Sequence, residues 1–244
     1  MQVDTKLLKA KFEKSMPKYN ANALVQRTMA ERLVRLTVEA CGENFAQILE
    51  LGSGTGLLTE VIAKNLRFEH LTCNDIVAKS RNYIEKIIPE FDFVLGNSAK
   101  IKFSKHADLI ISNAMFQWFS SLSPVAEHYS HQLNKGGILA FSSFTKENFK
   151  EIREITGLSL NYLSSEQICD ALKPYYEILA IEESNKILEF SNPLELLGHL
   201  KNTGVNSLSS KMTFSQVKVF CEKLGTKPTL TYAPIFIVAK LNKA

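Results

Sequence analysis

No apolar run in this chain of 244 residues approaches the length of a bilayer span, so a soluble protein with no membrane partner is expected. Cysteines are few and scattered: Cys41, Cys73, Cys169 and Cys221 include no C-x-x-C pair. Neither a zinc site nor a disulfide framework is therefore expected, and reduced thiols in the cytoplasm are the simplest reading. The sequence has no H-E-x-x-H motif, no Ser-His-Asp order and no His/Cys cluster, which leaves no metal to expect. His128 and His131 lie three apart on an expected helix without a third ligand, and read as surface residues. Repeats, low-complexity tracts and a linker that would split the chain are missing too. The first residues carry Lys6, Lys9, Lys11 and Lys14 but no continuous apolar segment of the kind a signal peptide has. Charge of one sign is only slightly in excess, at net +4. Such a balance fits an acidic partner without demanding one, and gives no reason to expect nucleic acid.

What is present is organised around Glu50-Leu51-Gly52-Ser53-Gly54-Thr55-Gly56. The short apolar run before it suits a buried strand. After it, Leu57, Leu58, Val61, Ile62 and Leu66 share one face of a helix. A strand, a glycine turn and a helix in that order make a nucleotide-binding corner, where a ligand must approach bare backbone. The spacing differs from the dinucleotide fingerprint G-x-G-x-x-G. Here the third glycine comes one position early, and an acid stands two positions ahead of the first. A second strand, Leu71 to Asp75, closes on an acid 75 − 56 = 19 positions beyond Gly56. A ribose-binding carboxylate belongs there, because the second strand runs parallel to the first and ends beside it.

Further strands are expected at 91–95, 107–113 and 138–144, with helices between them. The helix at Lys79 to Ile88 ends at Pro89, and another starts with Ser123 as N-cap and Pro124 at the first helical position. Alternation of this kind implies a doubly wound α/β sheet whose ligand lies beyond the strands' carboxyl ends. Glu50, Asp75, Asn97 and Asn113 all fall at such ends. Two amphipathic helices are expected within 1–42, the first ending at Pro17, with a polar loop from Tyr19 to Gln26 between them. From 145 to 174 the alternation breaks into two helices, read as a lid inserted over the ligand edge, the second opening on the capping sequence Ser164-Ser165-Glu166-Gln167. Extended chain is expected at 177–190, helices up to Gly204 and from Thr213 to Leu224, and a last strand at 231–241. All of this reads as a single domain, 1–244.

The motif ELGSGTG resembles the first motif of the class I S-adenosylmethionine methyltransferases. The whole chain resembles one family within them, the malonyl-[acyl-carrier protein] O-methyltransferases of early biotin synthesis. That likeness is carried by Phe12, Tyr19 and Val25-Gln26, by SNAMFQW at 112–118 and LSSEQI at 163–168, and by HLKNTGVNSL at 199–208 and LTY at 230–232. The resemblance implies a Rossmann-like sheet of seven strands, mostly parallel with the last antiparallel, and S-adenosylmethionine as cofactor. It implies that Gly52, Ser53, Gly54, Thr55 and Gly56 approach the methionine end of the cofactor and that Glu50 helps to hold its amino group. Asp75, with Ile76 beside it, would take the ribose hydroxyls, and Asn97, Ser98 and Ala99 would sit by the adenine. An aspartate is common where Asn97 stands, and the amide oxygen of Asn97 still accepts from the adenine amine. Asn113, Gln117 and Trp118 would face the methyl group and the substrate, with Tyr19 closing over the sulfonium.

The substrate that the resemblance implies is the free carboxylate of a malonyl thioester on acyl-carrier protein. A carboxylate is already ionised at neutral pH, so no general base is needed, and the sequence offers none. The carrier is acidic. Lys146, Lys150 and Arg153 fall at i, i+4 and i+7 on one face of the expected lid helix, and that stripe is either a docking face or a solvated one. Two alternatives stand beside this reading: a methyltransferase of the same fold acting on a small carboxylate or lipid-pathway intermediate, and a protein that binds S-adenosylmethionine without turnover.

Overall fold

Strands that carry apolar residues at successive positions are buried on both faces, as in a parallel sheet covered by helices on either side. In the computed structural model, which describes residues 5–203 and 214–242, five strands pair in parallel, largely buried except for the edge strand. They are β1 (Gln47–Leu51), β2 (His70–Asp75), β3 (Asp92–Leu95), β4 (Ala107–Ser112) and β5 (Leu133–Phe144). β6 (Tyr176–Glu183) belongs to the same sheet, whereas β7 (Lys186–Glu189) and β8 (Thr229–Tyr232) form a separate antiparallel pair. β9 (Pro234–Leu241) runs antiparallel to both β5 and β6 and completes seven strands in the order β3-β2-β1-β4-β5-β9-β6. The order reverses between β1 and β4, which opens the crevice in which such sheets bind ligands. Leu109 and Ile111 of β4 enter the core on one face with Leu33 and Ile62. Ile110 enters the other with Tyr129, Phe141 and Leu172.

Helices α1 (Thr5–Asn22) and α2 (Leu24–Cys41) precede the sheet, and α3 (Leu57–Asn65) and α4 (Ser80–Ile84) follow β1 and β2. α1 does not stop at Pro17. A proline inside a helix removes one backbone donor, and α1 continues past it to Asn22, with Ser15 and Met16 buried. The expected polar loop from Tyr19 to Gln26 is thus helix apart from Ala23, whose N–H still reaches the Tyr19 carbonyl at 2.8 Å. On α2, Val25, Met29, Leu33 and Leu36 are buried as the spacing predicts, while Ala40 is exposed. α4 is shorter than expected and passes into turns.

α5 (Ser123–Ser130) is capped by Leu122 without a side-chain bond, so Ser123 is its first residue rather than its cap. α6 (Lys150–Thr156) follows Phe149, which sits in the left-handed region at φ 55. That kink leaves Lys146 outside the helix, and the expected stripe of Lys146, Lys150 and Arg153 is not one helical face. α7 (Ser165–Leu172) opens on the expected capping box. It packs against α5 and β6, whereas α6 packs against β8 and α9 (Phe214–Leu224). α8 (Pro193–Asn202) packs against α1 and α9. The two helices of the segment 145–174 therefore lie in different layers, one capping the sheet's carboxyl edge and one covering the sheet.

Two extended stretches also differ from expectation. β5 begins at Leu133, before the glycines rather than after them, because Gly137 lets the chain pass close to neighbouring backbone. A Cβ there would lie 2.9 Å from the Asn134 carbonyl oxygen. The last extended run divides at Ala233 into β8 of the cap and β9 of the sheet. Its corner is tied by the Ala233 N–H to Asn148 Oδ1 at 3.1 Å and by the Thr145 N–H to the Ala233 carbonyl at 2.9 Å.

Candidate active site

The glycine turn leaves β1 at the reversal point and is held from the side by the next strand. Pairing of Leu51 with Asn74 brings Asp75 alongside the turn. The Gly54 N–H donates to Asp75 Oδ2 at 2.8 Å, and the Val77 N–H donates to Oδ1 at 2.8 Å. Burial pushes the Asp75 carboxyl up and these backbone donors oppose the shift. Gly56 has φ +83, and a Cβ on it would meet Ile87 Cδ1 at 2.2 Å. Glycine there satisfies backbone conformation and close packing together.

α1 lies across the turn. A Cβ on Gly54 would stand 3.1 Å from the Phe12 ring, and that ring meets Tyr19 edge-on at 5.3 Å. Thr55 Oγ1 donates to Asn20 Oδ1 at 2.5 Å, and Lys79 pairs with Glu13 at 2.9 Å, so α1 is fastened on both sides of the turn. Beyond β4, Ala114 takes φ 51. Its N–H donates to Ser142 Oγ at 3.0 Å, Ser142 donates to Asn113 Oδ1 at 2.6 Å, and Asn113 Nδ2 donates to the Gln26 carbonyl at 2.9 Å. Three segments, the exit of β4, β5 and α2, are locked together by that chain of bonds. Of the next residues, Phe116 turns inward and stacks on Phe141 at 4.0 Å, while Gln117 and Trp118 face the cleft.

One cleft at the sheet's carboxyl edge brings together Tyr19, Gly52, Ser53, Gly54, Thr55, Asp75, Ile76, Asn97, Ser98, Asn113, Gln117 and Trp118. Asn97 Oδ1 accepts from the Ala99 N–H at 3.1 Å, and Ser98 Oγ accepts from the Tyr129 hydroxyl at 2.8 Å. His128, expected at the surface, is instead half-buried, with Nε2 at 3.1 Å from the Ser98 carbonyl oxygen. Glu50, Gly56 and Ala99 do not line the cleft, nor do Lys146, Lys150 and Arg153. Glu50 is fully buried behind the turn and accepts from Thr59 Oγ1 at 2.7 Å. Burial pushes its carboxyl up to about 7, against the Thr59 hydrogen bond. Lys150 pairs with Glu147 at 3.9 Å, and Arg153 donates to the Lys146 carbonyl.

Phe144, Asn148, Phe149, Tyr162, Thr203 and Tyr232 also line the cleft. Phe144 ends β5; the others come from the cap, outside the alternating unit, and no periodic pattern marked them. Thr203 and Tyr232 were marked only by the stretches HLKNTGVNSL and LTY that carry the family resemblance. Of the stretch HLKNTGVNSL, the residues from Gly204 onward lie outside the described residues, as does Lys211, another basic candidate for partner contact.

A family model described as "Methyltransferase domain" matches residues 49–141. A malonyl-[acyl-carrier protein] O-methyltransferase from Calditerrivibrio nitroreducens is 36% identical over 241 residues, covering 96% of each chain. Its counterpart from Bacteroides thetaiotaomicron is 35% identical over 256 residues, covering 97% of this chain and 98% of that one. The chain belongs to the malonyl-[acyl-carrier protein] O-methyltransferase family. Solved structures agree on the fold. The N-methyltransferase NodS from Bradyrhizobium japonicum, in complex with S-adenosyl-L-homocysteine, superposes with TM-score 0.57 at 12% identity, covering 89% of this chain and 87% of that one. YcgJ from Bacillus subtilis superposes with TM-score 0.61 at 11% identity, covering 87% of this chain and 99% of that one.

Membership in this O-methyltransferase family implies S-adenosylmethionine, and the residues present fit it. Gln26 Oε1 and Gln117 Oε1 are buried acceptors without a partner, and both side chains line the cleft. An unmatched buried acceptor is costly, and a ligand ammonium or hydroxyl group removes that cost. The bare glycine backbone, the Asp75 carboxylate beside it and the Asn97-Ser98 turn suit a chain of methionine, ribose and adenine groups in that order.

Proposed function

We propose that this chain methylates the free carboxylate of malonyl-acyl-carrier protein, with S-adenosylmethionine as cofactor, giving the malonyl methyl ester that primes biotin synthesis in the cytoplasm. The observation that carries this reading is likeness to such enzymes along nearly the whole chain, 36% over 241 residues for one of them. Among the described residues no helix is long and apolar enough to cross a membrane. The composition of the cleft supports the chemistry: among the described residues that line it, Asp75 is the sole carboxylate and no histidine is present. Bound S-adenosylmethionine supplies an electrophilic methyl, so a carboxylate oxygen gains a C–O bond while the C–S electron pair returns to sulfur, and no proton moves.

The chain's own work is then binding, alignment and exclusion of water. Holding two reactants in line is worth about 7–11 kcal/mol of the barrier in favourable cases. In this reading Gly52 to Thr55 bind the methionine end, Asp75 and Ile76 the ribose, and Asn97 and Ser98 the adenine. Phe12 and Tyr19 close the site from α1, and the Asn113 network with Gln117 and Trp118 forms the wall facing substrate. Glu50 acts from behind the turn, where its unpartnered Oε1 suits a donor. Lys150 and Arg153 on α6, with Lys146 just ahead of it, offer basic groups to the acidic carrier. Transfer of a labelled methyl group to malonyl-carrier protein, beside malonyl-coenzyme A and small-acid controls, tests this function. Methylation of the small acids with none of the carrier thioester would refute it.

A further inference from the structure

On the malonyl reading, the substrate brings a carboxylate into a cleft that no basic side chain lines among the described residues. Moving an anion out of water is costly unless donors meet it. Three phenols are placed to do so. Tyr19 comes from α1, Tyr162 from the segment between α6 and α7, and Tyr232 from the end of β8, and all three line the cleft. Burial pushes each phenol up; Tyr19 and Tyr162 raise Tyr232 further, hydrogen bonding to Thr203 and Gln26 opposes that, and Asn148 and Arg153 oppose the rise of Tyr162. Each therefore keeps its proton at neutral pH and remains a donor.

Two of these hydroxyls are also aimed. The Tyr162 oxygen accepts from Asn148 Nδ2 at 2.8 Å, and Asn148 is itself anchored through Oδ1 to the Ala233 N–H. The Tyr162 proton is left to donate elsewhere. The Tyr232 hydroxyl lies 2.7 Å from His199 Nε2. Burial lowers His199 below its ordinary value, against the pull of Glu195, which keeps the ring neutral at neutral pH. A neutral His199 that carries its hydrogen on Nε2 would donate to the Tyr232 oxygen and leave the phenolic proton for the cleft, whose Gln26 and Thr203 also reach this hydroxyl.

We propose that Tyr162 and Tyr232, completed by Tyr19, form a neutral hydroxyl cage that receives the reacting carboxylate, with His199 as the residue that positions Tyr232. Neutral donors suit a nucleophile better than a lysine or arginine would. They stabilise the anion without drawing it into an ion pair that blunts its oxygen. The same cage gives selectivity, because an acetyl thioester and the methyl ester product both lack the anion whose charge strengthens these bonds.

This inference rests on the malonyl reading, and the test separates the two. Malonyl- and acetyl-carrier protein are titrated by calorimetry into protein saturated with S-adenosylhomocysteine, which transfers nothing. Wild type is expected to prefer the malonyl form. Tyr162→Phe and Tyr232→Phe should each shrink that preference by about tenfold or more. Their unchanged affinity for S-adenosylhomocysteine shows that both are folded. His199→Gln, which keeps a donor, should retain most of the preference, and His199→Leu should lose it. A measurement without mutation stands alongside: the neutral malonamyl thioester, of nearly the same shape, should bind wild type at least about tenfold more weakly than the malonyl thioester. If wild type methylates malonyl-carrier protein but both Phe variants keep the preference, or the malonamyl thioester binds equally well, the cage alone falls. If wild type neither prefers nor methylates the malonyl form, the function falls and the cage with it.

Discussion

Replacing Glu50 with glutamine should stabilise the ligand-free protein more at mildly alkaline than at mildly acidic pH. Glu50 is fully buried, and its carboxyl is pushed from 4.5 up to about 7 by burial, opposed by Thr59. A folded-state value above the unfolded one means that the folded chain still holds a proton that the unfolded chain has released. Stability therefore falls as pH rises from about 4.5 through about 7, and then levels off. With those two values, burying the titrating carboxyl costs about 1.4 kcal/mol at about pH 5.5 and about 3.4 kcal/mol at about pH 8. A glutamine side chain does not titrate, so the variant's advantage over wild type should grow by about 2 kcal/mol between those conditions. Titrating groups that do not interact with Glu50, His199 among them, are common to both proteins and cancel in the comparison; Asp75 and Cys73, which do interact with it, belong to the effect being measured. Urea unfolding of both proteins at the two pH values, without cofactor, measures it. If the difference between variant and wild type is the same at both, the buried carboxyl ionises normally and the reasoning fails.

Asp75→Ala should weaken S-adenosylmethionine by about 1.5–3 kcal/mol for each charged hydrogen bond lost, at least about tenfold in affinity. Unchanged calorimetric affinity in a folded variant would point to another carboxylate. Tyr19→Ala should reduce turnover far more than melting temperature, because the ring covers a cleft rather than filling the sheet's core. A collapse in melting temperature with full specific activity in the remaining folded protein would make it a packing residue. Reversing Lys150 and Arg153 to Glu should lower kcat/KM for malonyl-carrier protein and flatten its salt dependence, with cofactor affinity unchanged, since rim charges act through encounter. Carrier-dependent turnover that keeps its rate and salt sensitivity would make the pair a solvated face.

The sequence by itself determined the parts whose information is local. Glycine spacing and the run of apolar residues specified the β1 turn, and a count of positions placed Asp75 beside it, because parallel neighbours joined by one helix end together. Asn97, Asn113 and the capping box at Ser164 were legible for the same reason: each belongs to one strand exit or one helix start. Tertiary structure decided what depends on distant partners. Pro17 does not end its helix: α1 runs on to Asn22 and lies fastened over the glycine turn by Asn20 and Glu13. The stretch read as a last strand divides at Ala233 because Thr145 and Asn148, almost ninety residues earlier, hold its corner. Glu50 stands at a strand exit yet turns behind the glycine loop to Thr59, a choice of face that spacing alone leaves open. Tyr162, Tyr232 and His199 meet only because the cap folds back over the sheet. A hydroxyl's role is set by the proton acceptor it finally faces, and no pattern along the chain encodes that.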